Sequence, residues 1–139
     1  MENPMSIEPI VSVIVRPPLS PSLLLQLIYK PFPDEEEENY WVICQESIRN
    51  ECNEDKVIEE WTAPIPPVVA AEVINLLKDS LIPPISKSQL TEVDGCSYEV
   101  YFGDAFSSAH YQWWLSPPEE WEPLAEVVDM LLGCSGIYL

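Results

Sequence analysis

Apolar and polar positions change their period several times along the chain, and each change marks an element. Ile10–Val15 is short, β-branched and apolar, the pattern of a first strand. It stops at Arg16–Pro17–Pro18 and Leu19–Ser20–Pro21, because proline removes the donors a ladder needs. Leu23–Tyr29 gives a second apolar strand, closed by Pro31 and Pro33. Tyr40–Glu46, aromatic and β-branched, gives a third, which turns near Asn50–Asp55 and pairs with Lys56–Thr62. In that returning arm Val57 and Glu59 share a face, while Ile58, Glu60 and Trp61 break the alternation and leave the register open.

The period then switches to that of a helix. Pro64–Ile65–Pro66–Pro67 opens it, with proline near the first turn, where its missing N–H costs nothing. Val69, Val73, Leu76 and Leu77 recur at helical spacing with Leu81 beyond them, and Glu72, Asn75, Lys78 and Asp79 take the other side. Pro83–Pro84 ends the helix, and Ile85–Val93 reads as a connector. Asp94–Gly95 marks a tight turn before Ser97–Phe102, in which Tyr98, Val100 and Phe102 alternate with Ser97, Glu99 and Tyr101. Gly103–Asp104 begins a hairpin loop, and Ala109–Leu115 returns as the partner strand. A last helix follows Ser116–Pro117–Pro118 and is fully formed only from Trp121 or Pro123 onward, since proline is poorly tolerated deeper in a helix. Leu124, Val127, Val128, Leu131 and Leu132 form its apolar stripe, with Gly133 as the expected cap. No repeat or linker interrupts this order. The expectation is a single α+β domain over 1–139, an antiparallel β-sheet with two helices packed on one face, after a loose tail at 1–9.

Length and composition fit that picture. A 139-residue chain has the size of one domain, and such a domain buries roughly 68–70% of its unfolded surface. No apolar run approaches the roughly 20 residues of a membrane span. Met1 to Pro9 carries Glu2 and Glu8 without a basic residue, so no secretory signal is expected and a cytoplasmic location follows. In that reducing setting the four cysteines, Cys44, Cys52, Cys96 and Cys134, are expected as free thiols.

Charge narrows the function classes. Twenty-four Asp and Glu against 6 Lys and Arg give a net −18. Such a surface repels phosphate and steers cationic partners, so nucleic acid is an unfavourable ligand and a basic protein a favourable one. The same charge also serves plain solubility. The run Asp34, Glu35, Glu36, Glu37 and Glu38 reads as a solvated hairpin loop and a contact for a basic partner. It lacks the glycine turn of a calcium loop.

Catalytic chemistry is poorly supplied. The single histidine, His110, shares a strand face with Gln112 and Trp114, and no sequence neighbour orients it as a general base. A reactive thiol needs a cationic neighbour or a helix start. No cysteine begins a helix, and Cys96, exposed at a turn with His110 as a candidate neighbour, comes nearest. Cysteine gaps are too long and irregular for a zinc pair, and glycines at 95, 103, 133 and 136 build no phosphate loop. Neither a catalytic set, nor a metal, nor a cofactor is expected.

The aromatic residues say more. Tyr111, Trp113, Trp114 and Trp121 crowd around Pro117 and Pro118. Adjacent tryptophans on a strand point to opposite faces. Trp113 is expected to enter the core beside Tyr98 and Val100. Trp114 then points outward, either covered by Pro117, Pro118 and Trp121 or exposed, with Trp121, as an anchor for a partner.

Residues 94–132 carry a string, Asp94–Gly95–x–x–Tyr98, Tyr111–x–Trp113–Trp114 and Pro117–Pro118–x–x–Trp121–x–Pro123–Leu124. It resembles a pattern in small uncharacterised bacterial proteins, in which a D-G-x-x-Y hairpin and a tryptophan pair precede a W-x-P-L helix. The resemblance is close over less than a third of the chain and falls on turn and core residues. It implies a hairpin followed by a helix and no activity. Three function classes follow. The leading one is an immunity-like or inhibitor-like interaction protein that binds a basic protein through an acidic face. The others are a small hydrolase or transferase using carboxylates or Cys96 with His110, and a structural subunit, such as a homodimer, using the aromatic patch at Trp114.

Overall fold

The computed structural model describes residues 9–29, 40–49, 51–52, 54–84, 95–103 and 108–137. Six strands form one sheet: β1 Val11–Arg16, β2 Ser22–Tyr29, β3 Tyr40–Arg49, β4 Asp55–Ile65, β5 Ser97–Gly103 and β6 Ser108–Trp114. Helix α1, Pro67–Asp79, lies between β4 and β5, and α2, Glu122–Cys134, follows a 3-10 turn at Glu119–Trp121. The strand order is β4-β3-β2-β1-β5-β6, and every neighbouring pair is antiparallel. This is an α+β fold. No helix among the described residues is long and apolar enough to cross a membrane.

The first strand sits in the middle of the sheet, hydrogen-bonded to β2 on one side and β5 on the other. Its β-branched residues fit that place: Val11, Val13 and Val15 are fully buried and face the helices. Leu23, Leu25 and Leu27 of β2, Val42 and Cys44 of β3, and Val100 of β5 continue the same apolar face. Against it pack Ala70 and Val73 of α1 and the whole expected stripe of α2, Leu124, Val127, Val128, Leu131 and Leu132. Both helices therefore lie on one face.

Two helix ends depart from expectation. The α1 stripe stops short of Leu81, which is 97% exposed. Ser80 turns to an extended conformation while its N–H still bonds the Leu76 carbonyl at 3.4 Å, so the chain leaves the helix before Pro83–Pro84. Gly133 does not cap α2 but lies inside it. The left-handed residue is Gly136, at φ +75°. Ile137 N–H bonds the Leu132 carbonyl at 3.0 Å and Gly136 N–H bonds the Gly133 carbonyl at 3.2 Å, the two bonds of a Schellman stop.

The β5–β6 hairpin is fixed at its open end. Leu115 leaves the strand at φ +61°, and its N–H bonds the Cys96 carbonyl at 2.8 Å. Gly95, at φ +88°, passes so close that a Cβ there would collide with the Leu115 side chain. Only glycine serves at that turn.

Candidate functional site

The sheet face turned away from the helices carries a polar network that spans β1, β5 and β6. At its centre Glu99 is only 7% exposed. A buried carboxylate needs partners, and Glu99 has three: an ion pair with Arg16 of β1, the Tyr101 hydroxyl donating at 3.0 Å, and His110 Nε2 of β6 at 3.2 Å. The His110 and Tyr101 rings stack with centroids 4.0 Å apart and planes nearly parallel. Antiparallel pairing dictates this cluster, because Arg16 opposes Ser97, Ile14 opposes Glu99, and Tyr101 opposes His110. Glu99 is thus the orienting group for His110, which the local sequence does not reveal.

An oriented imidazole still requires a group to activate. Cys96 lies on the strand approach five residues before Tyr101, the residue opposite His110. At about 3.3 Å per residue that is about 16 Å along the sheet. The structure does not bring Cys96 and His110 together. Cys44 is fully buried, with its thiol 3.2 Å from Ser135 Oγ, and burial raises its pKa against the smaller lowering by that hydroxyl. Burial likewise raises Cys134. Among the described residues no group of three His, Cys, Asp or Glu side chains could hold a metal ion.

Beneath the helices, Tyr98 stacks on Trp113 with centroids 5.7 Å apart. It walls two cavities of about 500 and 530 Å³, one toward Leu115, Val128 and Asp129, the other toward Leu23, Trp61 and Cys96. Its hydroxyl pKa is pushed up to about 12, first by burial, then by Cys96 and the Asp129 carboxylate. Below 10.0, the unfolded value, both states hold the proton and stability is unaffected; between 10.0 and about 12 the unfolded chain ionises first and stability falls. Cys44, buried, and Cys134, half-buried, act in the same direction from 9.0 upward. Urea midpoints measured at stepped alkaline pH should fall over this range, with a smaller fall in Tyr98→Phe. Midpoints independent of pH would contradict the desolvation of these three groups in the fold.

The third feature is a two-stranded ribbon. Pairing with β2 ends at Ser22↔Ser47, yet β3 and β4 continue together to Ile48↔Lys56 and Arg49↔Asp55. A register shift at Glu46/Ser47 introduces the ribbon, as bulges do where a strand pair bends away. Every residue of β4 from Asp55 to Glu60 is exposed. Carboxylates at Glu46, Glu51, Glu54, Asp55, Glu59 and Glu60 outnumber the two bases, Arg49 and Lys56. Among them Val57 is 50% exposed, Ile58 47% and Ile48 41%.

The other expected contacts are placed as follows. Trp113 is buried as expected, and Trp114 is half-buried on the helix-free face. Trp121 is not a surface anchor. It lies in the core, edge-on to Tyr111 at 5.0 Å and to Trp113 at 6.5 Å, and its indole N–H donates to the Pro83 carbonyl at 2.9 Å. It stands on the opposite side of the sheet from Trp114 and cannot cover it, because its partners Tyr111 and Trp113 alternate with Trp114 along β6. Asp34, Glu35, Glu36, Glu37 and Glu38 lie outside the described residues. No family model, curated protein or solved structure matches this chain.

Proposed function

We propose that the chain is a non-catalytic interaction protein that binds a basic protein partner, as an immunity or inhibitor protein does, and that the β3–β4 ribbon is its contact. The supporting observation is the ribbon's composition: exposed apolar residues on both of its faces, Ile48 opposite Lys56 and Val57 opposite Ser47, with Ile58 at the register shift, set among carboxylates on an edge strand exposed over Asp55–Glu60. Interfaces combine an apolar centre that excludes water with a charged rim that sets partner and rate. The net −18 extends the attraction beyond the contact itself.

Charge reversal tests this. Native protein and Glu59→Lys/Glu60→Lys are immobilised and exposed to native lysate at low salt and at about 1 M salt, where the screening length shrinks to about 3 Å. Basic proteins should be retained by the native chain at low salt, released at high salt, and lost from the variant. Retention that ignores both salt and charge reversal would refute the proposal.

A further inference from the structure

We infer that β6 is a self-pairing edge, through which two copies of this chain join their sheets. This goes beyond the ribbon proposal and stands independently of it. A six-stranded open sheet has two edges, here β4 and β6. Edge strands present unpaired main-chain groups, and proteins protect them with charge, proline and irregular register. β4 has all three: Asp55, Lys56, Glu59 and Glu60, then Pro64, and the shift at Glu46/Ser47. β6 has none. Ser108–Trp114 contains no carboxylate, lysine, arginine or proline, and its register with β5 runs unbroken from Gly103↔Ser108 to Ser97↔Trp114.

The direction of its donors is set by the hairpin. Leu115 N–H points to β5, where it meets Cys96. Main-chain groups alternate sides along a strand, so those of Trp114, Gln112, His110 and Ser108 point to the outer edge. Among the described residues no strand pairs there. The side chains of Ser108, His110 and Gln112 are exposed.

Charge selects the occupant. A basic strand gains nothing from an edge without carboxylates. The acid nearest β6 on the helix-free face, Glu99, is held by Arg16 and His110. Acids farther off are damped beyond a screening length of about 8 Å at physiological salt. A second copy of this −18 chain can therefore approach closely along β6. Two β6 strands related by a two-fold axis form an isologous antiparallel seam. Such a seam is small, so the dimer is concentration-dependent. Salt should strengthen it by screening the remaining repulsion between copies.

Sedimentation velocity of the full chain, over a concentration series at low and high salt, tests this. The mass should rise from 15.8 kDa toward twice that value, and at lower concentration when salt is high. Gln112→Pro removes an outward donor while sparing the bonds to β5, and Gln112→Lys sets an ammonium at the seam beside Glu99, its opposite residue. Both should stay at monomer mass throughout, and Glu59→Lys/Glu60→Lys should dimerise like the native chain. Should Gln112→Pro fail to fold, Gln112→Lys decides. A native chain that stays monomeric at every concentration, leaving β6 to a foreign strand or to none, overturns the inference. So does a folded Gln112→Lys that dimerises unchanged, or loss of the dimer on reversal at Glu59 and Glu60.

Discussion

Trp113→Ala should cost a large fraction of the protein's stability, more than any other single truncation. The side chain is only 2% exposed and is the largest of those fully buried. It stacks on Tyr98 and meets Trp121 edge-on, so truncation opens a cavity that joins β5, β6 and the start of α2. Replacing a buried tryptophan by alanine costs about 3–5 kcal/mol, against a total of about 5–15 kcal/mol for an ordinary domain. Trp114→Ala, next in sequence but half-buried on the other face, should cost far less. Urea unfolding of the two variants gives the comparison. Equal losses, or the greater loss at Trp114, would reverse the assigned faces of the hairpin.

Arg16→Met should be the next most damaging change. It leaves Glu99 buried with only Tyr101 and His110 as partners. Arg16 itself is 42% exposed, so solvent screens the pair and the Coulomb attraction lost is modest. The damage comes from the carboxylate left behind, and an under-satisfied buried acceptor costs about 1–3 kcal/mol. Arg16→Met/Glu99→Leu, which removes both charges, should recover part of that loss. Chemical denaturation of the two single variants and the double gives the coupling energy. Additive losses would mean that the ion pair does not hold β1 to β5.

Both effects depend on pairing between distant segments, and this limits what can be read locally. The alternation of Tyr98, Val100 and Phe102 marks the inward face of β5, and the spacing of Leu124, Val127, Val128, Leu131 and Leu132 marks the buried stripe of α2. Each signal lies within one element. The place of β1 between β2 and β5 does not, because Val11–Arg16 could equally form an edge until Ser97–Gly103 is known to pair with it. Glu99 follows from that pairing: in sequence it is an outward residue of an amphipathic strand, and only registry brings Arg16 and His110 to it. Trp121 is misplaced for a related reason. The prolines around it suggest a surface cluster, whereas the 3-10 turn at Glu119–Trp121 swings the indole under the helices to the Pro83 carbonyl. The ribbon is not legible in the sequence, because carboxylates are abundant everywhere in this chain and only the lengths of β3 and β4 relative to β2 show which of them project together.

The two sheet edges differ in kind, β4 acidic and irregular and β6 neutral and regular, and the two proposals assign a basic partner to the first and a second copy to the second. One salt titration of the native protein tests this division, with self-association read by sedimentation and retention of basic proteins read by capture. Rising salt should strengthen the first while abolishing the second. If both respond to salt in the same direction, the edges do not divide in this way.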